Sequence, residues 1–201
     1  MPKVSQEHME GRRRQILAAA SRCFAQVGFH AATMQDVIKA SGLSAGAIYN
    51  YFQSKEDIIA AIADERHDRE AALLQAAEAE PEPDRAIRQL ALAFFQHLSD
   101  KGQDEERRVG VQLWAETLNN KKLARLAKDG TAGPYRVLCT LIDRMKQAGE
   151  LPKAIESEPL ARVMIALFQG LVLQKCREKD LDLQAYVRTV LLMWDGLRRA
   201  R

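Results

Sequence analysis

Apolar residues recur at steps of three and four along most of the chain, which is the spacing of one face of an α-helix. Over residues 10–27, Ile16, Ala20 and Phe24 follow this spacing, and Gly28 then offers a left-handed C-cap. The alternation of apolar and polar residues that is typical of β-strands is almost absent. The pattern predicts an all-α protein whose first helix covers about residues 10–27.

Capping signals predict two short helices and a long one after this first helix. Thr33 begins "TMQD", a capping-box pattern at the head of a short helix that ends at Gly42. Ser44 can cap a second short helix, "AGAIYNYF", after a brief turn. Ser54 opens another box, "SKED", at the head of a helix that runs to about residue 79.

The segment "EAEPEPD" at 78–84 separates these elements from a larger C-terminal part, because prolines among polar residues interrupt helices. Asp84 is expected to be the N-cap of the next helix. Further helices are expected at about residues 84–100, 104–119, 121–148 with an interruption near "KDGTAGP", 157–178 and 182–199. We therefore expect about nine helices in total.

Residues 42–46 read Gly-Leu-Ser-Ala-Gly and match GxSxG, the pattern of a serine-hydrolase nucleophile elbow. Such an elbow needs a strand of a parallel sheet before the serine, whereas the preceding segment has a helical pattern. The histidines that follow Ser44, His67 and His97, also lie within helical patterns. The GxSxG serine hydrolase is kept only as a remote alternative.

Two short helices joined by a three- to four-residue turn that contains glycine describe a DNA-binding helix-turn-helix. In this interpretation Gly42 adopts a positive φ, Leu43 packs between the helices and Ser44 caps the second helix. The segment is therefore interpreted as a helix-turn-helix whose second helix enters the major groove of DNA.

Residues 12–62 resemble the DNA-binding part of the TetR (tetracycline-repressor-like) family of bacterial regulators. Ile38 and Ser41 depart from the family pattern, which more often has alanine at these positions. The matching positions are Phe24, Gly28, Thr33, Val37, Gly42, Leu43, Ser44, Gly46, Ile48, Tyr49, Tyr51, Phe52, Ser54, Lys55, Glu56 and Ile59.

The resemblance implies an N-terminal three-helix DNA-binding domain with a helix-turn-helix at 1–55 and a C-terminal helical ligand-binding and dimerisation domain at 56–201. It also implies a homodimeric repressor, not an enzyme, that a small-molecule effector releases from a palindromic operator. A constitutive helix-turn-helix protein without an effector is the alternative.

The predicted DNA-contacting residues lie at the helix-turn-helix and just after it. Lys55 stands in a first helical turn, where its charge opposes the helix dipole, and this indicates an anionic partner such as a phosphate. The resemblance assigns phosphate contacts to the two tyrosines and agrees with one at Lys55. Arg12, Arg13 and Arg14 could reach the DNA as an arm before the first helix. The predicted set is Thr33, Gln35, Ser44, Ala45, Gly46, Ala47, Tyr49, Asn50, Tyr51 and Lys55.

The helical segments 160–173 and 183–197 are apolar on nearly every face, which requires burial on all sides. We expect a homodimer in which two helices per subunit form a four-helix bundle; a central helix in a monomer is the alternative. A twofold dimer would place its recognition helices about 34 Å apart on a pseudo-palindrome. The expected interface residues are Met164, Leu167, Leu171, Val187, Val190 and Trp194.

The predicted effector pocket is mostly apolar with a few polar groups, a composition that an ordinary bundle core shares. We expect the effector to favour a conformation in which helix 54–79 has moved and the recognition helices no longer match the grooves. The candidate lining residues are Phe94, His97, Leu98, Trp114, Glu116, Cys139, Met145, Phe168 and Gln169.

Composition adds few constraints. The net charge is +3 with a pI of about 8.8, which permits DNA binding without establishing it. The three cysteines form no CxxC, and no HxxxH or HExxH motif occurs, so we expect reduced thiols and neither metal nor cofactor. The N-terminal segment has no secretory pattern and no apolar stretch is long enough to span a membrane, which predicts a soluble cytoplasmic protein.

Overall fold

The computed structural model of the protein describes residues 6–100 and 104–200, without the side chains of residues 66, 67 and 69. The described residues exclude 1–5, 101–103 and 201, all of which belong to the two predicted domains. They also exclude the side chain of His67. The described part contains helices and no strand, which confirms the predicted all-α class and the nine helices. These are α1 (Gln6–Val27), α2 (Met34–Ser41), α3 (Ala45–Tyr49), α4 (Lys55–Ala79), α5 (Pro83–Ser99), α6 (Asp104–Glu116), α7 (Lys121–Gln147), α8 (Ser157–Arg177) and α9 (Leu183–Arg199).

The described residues divide into two compact units. The first takes residues from Met1–Arg66 and Glu105–Ala127, and the second from His67–Asp104 and Lys128–Arg201. The first unit therefore contains α1–α3, the start of α4, nearly all of α6 and the start of α7. The predicted boundary between residues 55 and 56 separates a DNA-binding domain from a ligand-binding and dimerisation domain. The two compact units do not test this functional division, which stays a prediction.

The first unit is built on a core that fixes α2 and α3. Residues on the inner faces of its helices are almost completely inaccessible to water, and burial of each such aliphatic side chain contributes about 1.5–3 kcal/mol. α6 and α7 add Val109 and Leu123 to this core. The main members from the N-terminal helices are Ile16, Leu17, Ala20, Phe24, Phe29, Val37, Ile48, Phe52, Ile58 and Ile59.

The second unit has its own core between α4, α5, α7, α8 and α9. Its members include Ala77, Ala86, Ile87, Leu90, Val137, Leu141, Ile142, Met145, Ala161 and Trp194. Each unit thus buries its own apolar residues. Among the described residues, no helix is both long and apolar enough to cross a membrane.

Two sequence-based expectations in the second unit are wrong. Asp84 is not the N-cap of α5: Glu82 holds that position, Pro83 is the first helical residue and Asp84 lies in the first turn. Proline suits the first position because its fixed φ is already helical and the N–H it lacks would have had no partner in the helix.

The expected interruption near "KDGTAGP" is also absent, since α7 continues from Lys121 to Gln147 with Pro134 inside it. Proline in a helix interior costs about 3 kcal/mol. Val137, Leu141 and Met145, on the turns after Pro134, are fully buried. Their burial offsets the cost of the proline and keeps the helix continuous.

Candidate nucleic-acid interface

Thr33 and Asp36 form the capping box predicted at the start of α2. The Thr33 hydroxyl oxygen accepts from Asp36 N at 3.2 Å, and the Asp36 carboxylate accepts from Thr33 N at 2.9 Å. The Thr33 hydroxyl also donates to that carboxylate at 2.7 Å. The hydrogen bonds from the Thr33 side chain and backbone lower the pKa of Asp36. The box fixes where α2 begins.

The turn between α2 and α3 has the predicted geometry. Gly42 adopts φ 69° and ψ 15°, the left-handed region in which a side chain is strained. Leu43 packs against the core of the first unit. The Ser44 hydroxyl accepts from Ala47 N at 3.2 Å, which confirms Ser44 as the cap of α3.

Ser41 contributes to the same turn in a way that the sequence analysis missed. Its hydroxyl donates to Ile38 O at 2.9 Å and accepts from Leu43 N at 3.2 Å. Gln15 of α1 donates from Nε2 to Ser41 O at 2.8 Å. An alanine at this position could not form the two hydrogen bonds of the hydroxyl, which hold the turn. The sequence signal for this role was a serine where the family more often has alanine.

The residues predicted to face DNA lie mostly on one exposed side of this motif. Ile48, on the opposite side of α3, is fully buried. The two tyrosines differ, because Tyr49 is exposed whereas Tyr51 packs against the core of the first unit. The exposed members of the predicted set are Thr33, Gln35, Ser44, Ala45, Gly46, Tyr49 and Asn50, and Ala47 is half-buried.

The predicted arginine arm before the first helix is wrong, because Arg12, Arg13 and Arg14 lie within α1. Arg13 Nη1 donates to Glu65 Oε1 at 2.6 Å, and the Arg13 guanidinium lies 6.0 Å from the centre of the Phe52 ring. α1 begins at Gln6, about four residues before the predicted start. Its first turns are mostly exposed and polar, so apolar spacing gives no signal for them.

Lys55 has partners that the sequence analysis did not predict. Its Nζ donates to Phe29 O at 2.9 Å and to His30 O and Ala32 O at 3.2 Å each. The same nitrogen lies 4.6 Å from the centre of the Phe29 ring. The side chain that opposes the α4 dipole is thus surrounded by three carbonyl oxygens from the α1–α2 connection.

α6 also holds the α1–α2 connection. Gln112 Oε1 accepts from Phe29 N at 3.1 Å. Glu116, almost completely buried, places Oε1 2.8 Å from His30 Nε2. These residues are about eighty positions away from their partners, and their sequence carries no signal for the contacts.

The predicted pocket residues do not form one group. Trp114 and Glu116 belong to the first unit and the other seven to the second. His97 is exposed and therefore does not line an enclosed site, whereas Leu98 and Met145 are buried. Phe94 and Phe168, both half-buried, lie with ring centres 5.1 Å apart, and Cys139 and Phe94 pack against the core of the second unit. Gln169 is half-buried.

Three of the six predicted interface residues are internal. Leu171 is fully buried, and Val187 and Trp194 are only 7% exposed, so they offer little surface to a partner. Met164, Leu167 and Val190 are half-buried. The exposed large apolar side chains in the described parts of α8 and α9 are Val163, Leu173, Leu192 and Met193. Apolar spacing showed that these helices have two apolar faces but not which face turns inward.

Among the described residues, no group of three or more His, Cys, Asp and Glu side chains is placed to hold a metal ion. The Cys23 thiol donates to Asp36 O at 3.6 Å, and burial, followed by the Asp36 charge, raises its pKa. No disulfide bond joins the cysteines of the described part of the chain.

Comparisons with known proteins agree with this geometry. Residues 16–62 match the profile of the bacterial regulatory proteins of the tetR family. Residues 83–193 match the C-terminal profile of the BetI-type transcriptional repressors. The second match alone spans more than half of the chain.

The HTH-type transcriptional repressor Rv1474c of Mycobacterium tuberculosis is 47% identical over 73 residues, which cover 36% of this chain and 39% of that protein. The chain therefore matches well under half of the length of that relative.

Two solved structures match over most of their length. GusR of Salmonella enterica is 25% identical with a TM-score of 0.73, and the match covers 98% of this chain and 100% of that one. FadR of Bacillus subtilis in complex with stearoyl-CoA is 20% identical with a TM-score of 0.75, covering 90% and 96%. With its capped helix-turn-helix and both profile matches, this chain belongs to the TetR family of bacterial transcriptional regulators.

Proposed function

We propose that the chain is a cytoplasmic, homodimeric repressor that binds a pseudo-palindromic DNA operator and leaves it when a small-molecule effector binds. The observation that carries the proposal is α3, which is capped by Ser44 and anchored by Ile48, and which presents its small N-terminal residues to solvent. This is the arrangement that places a recognition helix in a major groove.

Direct base recognition by this helix is sparse. Ala45, Gly46 and Ala47 carry no hydrogen-bonding side-chain atoms, which leaves Gln35, Ser44 and Asn50 to contact base edges. Small side chains let the backbone approach the base pairs closely. We infer that DNA shape and contacts of alanine with thymine methyl groups supply much of the specificity.

Tyr49 and Thr33 are exposed on either side of the turn. Their hydroxyl groups are suited to phosphate oxygens, which set the orientation of a protein on DNA. Tyr51 is half-buried, so any contact it makes with DNA would be through its hydroxyl.

The dimer is proposed to form through one face of α8 and α9. On α8, exposed Val163, Ala166 and Leu173 recur with half-buried Gly170 at steps of three and four. On α9, the adjacent side chains of Leu192 and Met193 are 71% and 58% exposed, so two large apolar residues face solvent side by side. A Cβ added at Gly170 or Gly196 would meet no atom within 4 Å apart from the adjoining residues and backbone of its own helix, so both glycines leave room for a helix of a second subunit. This face replaces the more internal residues that the sequence analysis selected.

The effector is proposed to bind the second unit, near the half-buried pair of Phe94 and Phe168. Cys139 and Gln169 are further candidates there, in keeping with a mostly apolar ligand and a few polar contacts. FadR of the same fold is solved with stearoyl-CoA, which shows that this architecture can hold a small molecule. The effector would act by favouring a conformation with α4 displaced.

Selection of bound fragments from random double-stranded DNA tests the proposal. We expect enrichment of a pseudo-palindrome with half-site centres about one DNA turn apart, and an affinity that falls steeply with salt. A pool without enrichment would reject operator binding. A library of small apolar compounds is then titrated into the complex; a constitutive DNA-binding protein would retain its operator with every compound.

A further inference from the structure

Gln15 of α1 joins this helix to the turn of the helix-turn-helix. Its Nε2 donates to Ser41 O at 2.8 Å, 26 positions along the chain. Its Oε1 accepts from Arg12 Nη1 at 2.9 Å. A guanidinium can only donate, so it fixes which end of the amide is the acceptor and directs the amide N–H groups toward Ser41. The charged donor also polarises the amide, which strengthens the second hydrogen bond.

The Ser41 carbonyl lies at the point where α2 ends. Ser41 is the last residue of α2 and only 7% exposed, and the left-handed Gly42 follows it directly. The Ser41 hydroxyl is used within the motif, because it donates to Ile38 O and accepts from Leu43 N. The hydrogen bond from Gln15 comes from outside the motif, and it holds the turn against α1.

α3 depends on both of its ends for its orientation, because it has only five residues. Its single buried residue is Ile48. One buried side chain fixes a point but leaves a short helix free to tilt about that point. The turn before Ser44 supplies a second fixed point through half-buried Leu43 and the Ser41 carbonyl.

The small residues at the start of α3 make its orientation important. Ala45, Gly46 and Ala47 carry no hydrogen-bonding side-chain atoms, so their side chains and backbone can add only close van der Waals contacts with the bases. Such contacts lose about a quarter to a half of their energy over a gap of about 0.5–1 Å. A long polar side chain can follow a displaced base edge, whereas a methyl group cannot. A small tilt of α3 would therefore weaken specific binding.

We propose that Gln15 is a positioning residue for operator recognition: by holding the Ser41 carbonyl against α1, it sets the tilt of α3 in the major groove. The proposal rests on the proposed function, because it concerns how the same helix-turn-helix meets its operator. Non-specific binding depends on charges near phosphates, whose interaction energy varies slowly with distance. Loss of this hydrogen bond is thus expected to lower specific binding more than non-specific binding.

The experiment compares Gln15→Met, a neutral side chain of similar length, with Gln26→Met, the same substitution at another exposed position of α1. For Gln15→Met we expect operator affinity to fall about fivefold for each half-site, the effect of one lost hydrogen bond. Non-specific affinity and the slope of log affinity against log salt should stay unchanged. Titrations of operators with single base-pair changes should show the loss spread over several positions, since the whole helix tilts. Gln26→Met should bind as the unsubstituted protein does.

Gln15→Glu separates the two hydrogen bonds of the amide. Its carboxylate can still accept from Arg12 but has no donor for Ser41 O. The added negative charge weakens specific and non-specific binding alike, so the ratio of the two affinities is compared. We expect this ratio to be at least as low for Gln15→Glu as for Gln15→Met. A ratio equal to that of the unsubstituted protein would overturn the proposal, because the contact with Arg12 alone would then suffice.

Amide hydrogen exchange without DNA gives a second readout. The Leu43 N–H donates to the Ser41 hydroxyl, so its exchange reports local opening of the turn. It should exchange about fivefold faster in Gln15→Met than in Gln26→Met. This arm tests the hydrogen bond even if the unsubstituted protein finds no operator, an outcome that would reject the proposed function alone.

Three further outcomes would overturn the positioning role. Equal losses of specific and non-specific affinity would indicate that Gln15 contacts a phosphate. A loss confined to one base pair would indicate that Gln15 itself recognises a base. Unchanged exchange at Leu43 would show that the hydrogen bond from Gln15 does not hold the turn.

Discussion

The indole Nε1 of Trp194 donates to Oδ1 of Asp84 at 2.7 Å, joining α9 to the first turn of α5 across 110 positions of sequence. The same carboxylate accepts from Arg88 Nε and Arg198 Nη1, each at 2.9 Å. Arg88 also pairs with Asp195, and Arg198 pairs with Glu150 at 3.1 Å. Asp84 is therefore the centre of a charged network that orients α9, one of the two helices proposed to dimerise.

Asp84→Asn is expected to destabilise the protein by about 1–3 kcal/mol at pH 7, because an amide oxygen can still accept from Trp194 but the charge facing Arg88 and Arg198 is lost. Urea unfolding followed by circular dichroism measures the change. Glu158→Gln removes a carboxylate from the exposed pair with Arg162 and serves as the control. Equal stability of Asp84→Asn and Glu158→Gln would contradict the central role of Asp84.

The contribution of Asp84 should depend on pH. Burial would raise the pKa of this carboxyl, but the hydrogen bonds from Trp194 and Arg88 and the charges of Arg88 and Arg198 lower it overall. A group whose pKa is lower in the folded state stabilises the protein above its ordinary pKa and loses this effect as the pH falls through the folded value. The stability difference between the unsubstituted protein and Asp84→Asn should thus be full at pH 7 and shrink below about pH 4. A constant difference down to pH 3 would argue against this titration.

Ser44→Ala should cost about 1 kcal/mol, because Ala47 N–H at the start of α3 loses its hydrogen-bond partner. Ser44→Thr keeps a capping hydroxyl and should retain most of the stability. Chemical denaturation of both variants measures the difference. An ester-hydrolysis activity that disappeared with Ser44→Ala would instead favour the nucleophile interpretation of GxSxG.

Alanine at the two glycines of the turn segment should separate stability from DNA affinity. Gly42→Ala should cost about 1–2 kcal/mol, since alanine is strained at φ 69° although the added Cβ meets no atom within 4 Å. Gly46→Ala, within α3 and also in open space, should preserve or raise stability. It should weaken operator binding, because the methyl group separates the backbone from the DNA. Melting curves and gel-shift titrations of both variants would show these opposite patterns; a Gly46→Ala variant with full operator affinity would exclude close backbone approach.

Leu192→Asp should convert the dimer to a monomer, because it introduces a charge into the apolar face proposed to join the subunits. Sedimentation velocity measures the change in mass. Leu118→Asp is the matched control, since Leu118 is 84% exposed in the connection after α6 and should tolerate the charge. A monomeric unsubstituted protein would refute the interface, as would a dimeric Leu192→Asp.

The sequence by itself determined the local structure of the helix-turn-helix. The caps at Thr33 and Ser44 and the positive φ of Gly42 depend on residues within four positions of each other, so residue type and spacing predict them. Apolar spacing likewise predicted the all-α class and most of the helices. The same local logic failed at Asp84, where a proline one residue earlier moved the helix start, and at Pro134, where burial kept the helix continuous.

Only the tertiary structure decided which partners the charged and apolar side chains have. Lys55 donates to the carbonyls of Phe29, His30 and Ala32, which lie 23 to 26 positions before it in the sequence. Asp84 accepts from Trp194, which lies 110 positions after it. Spacing along a helix gives the relative directions of its side chains, but the face that turns inward depends on packing with distant segments. For this reason Leu171 is internal and Leu192 is exposed, although both belong to helices that are apolar almost all round.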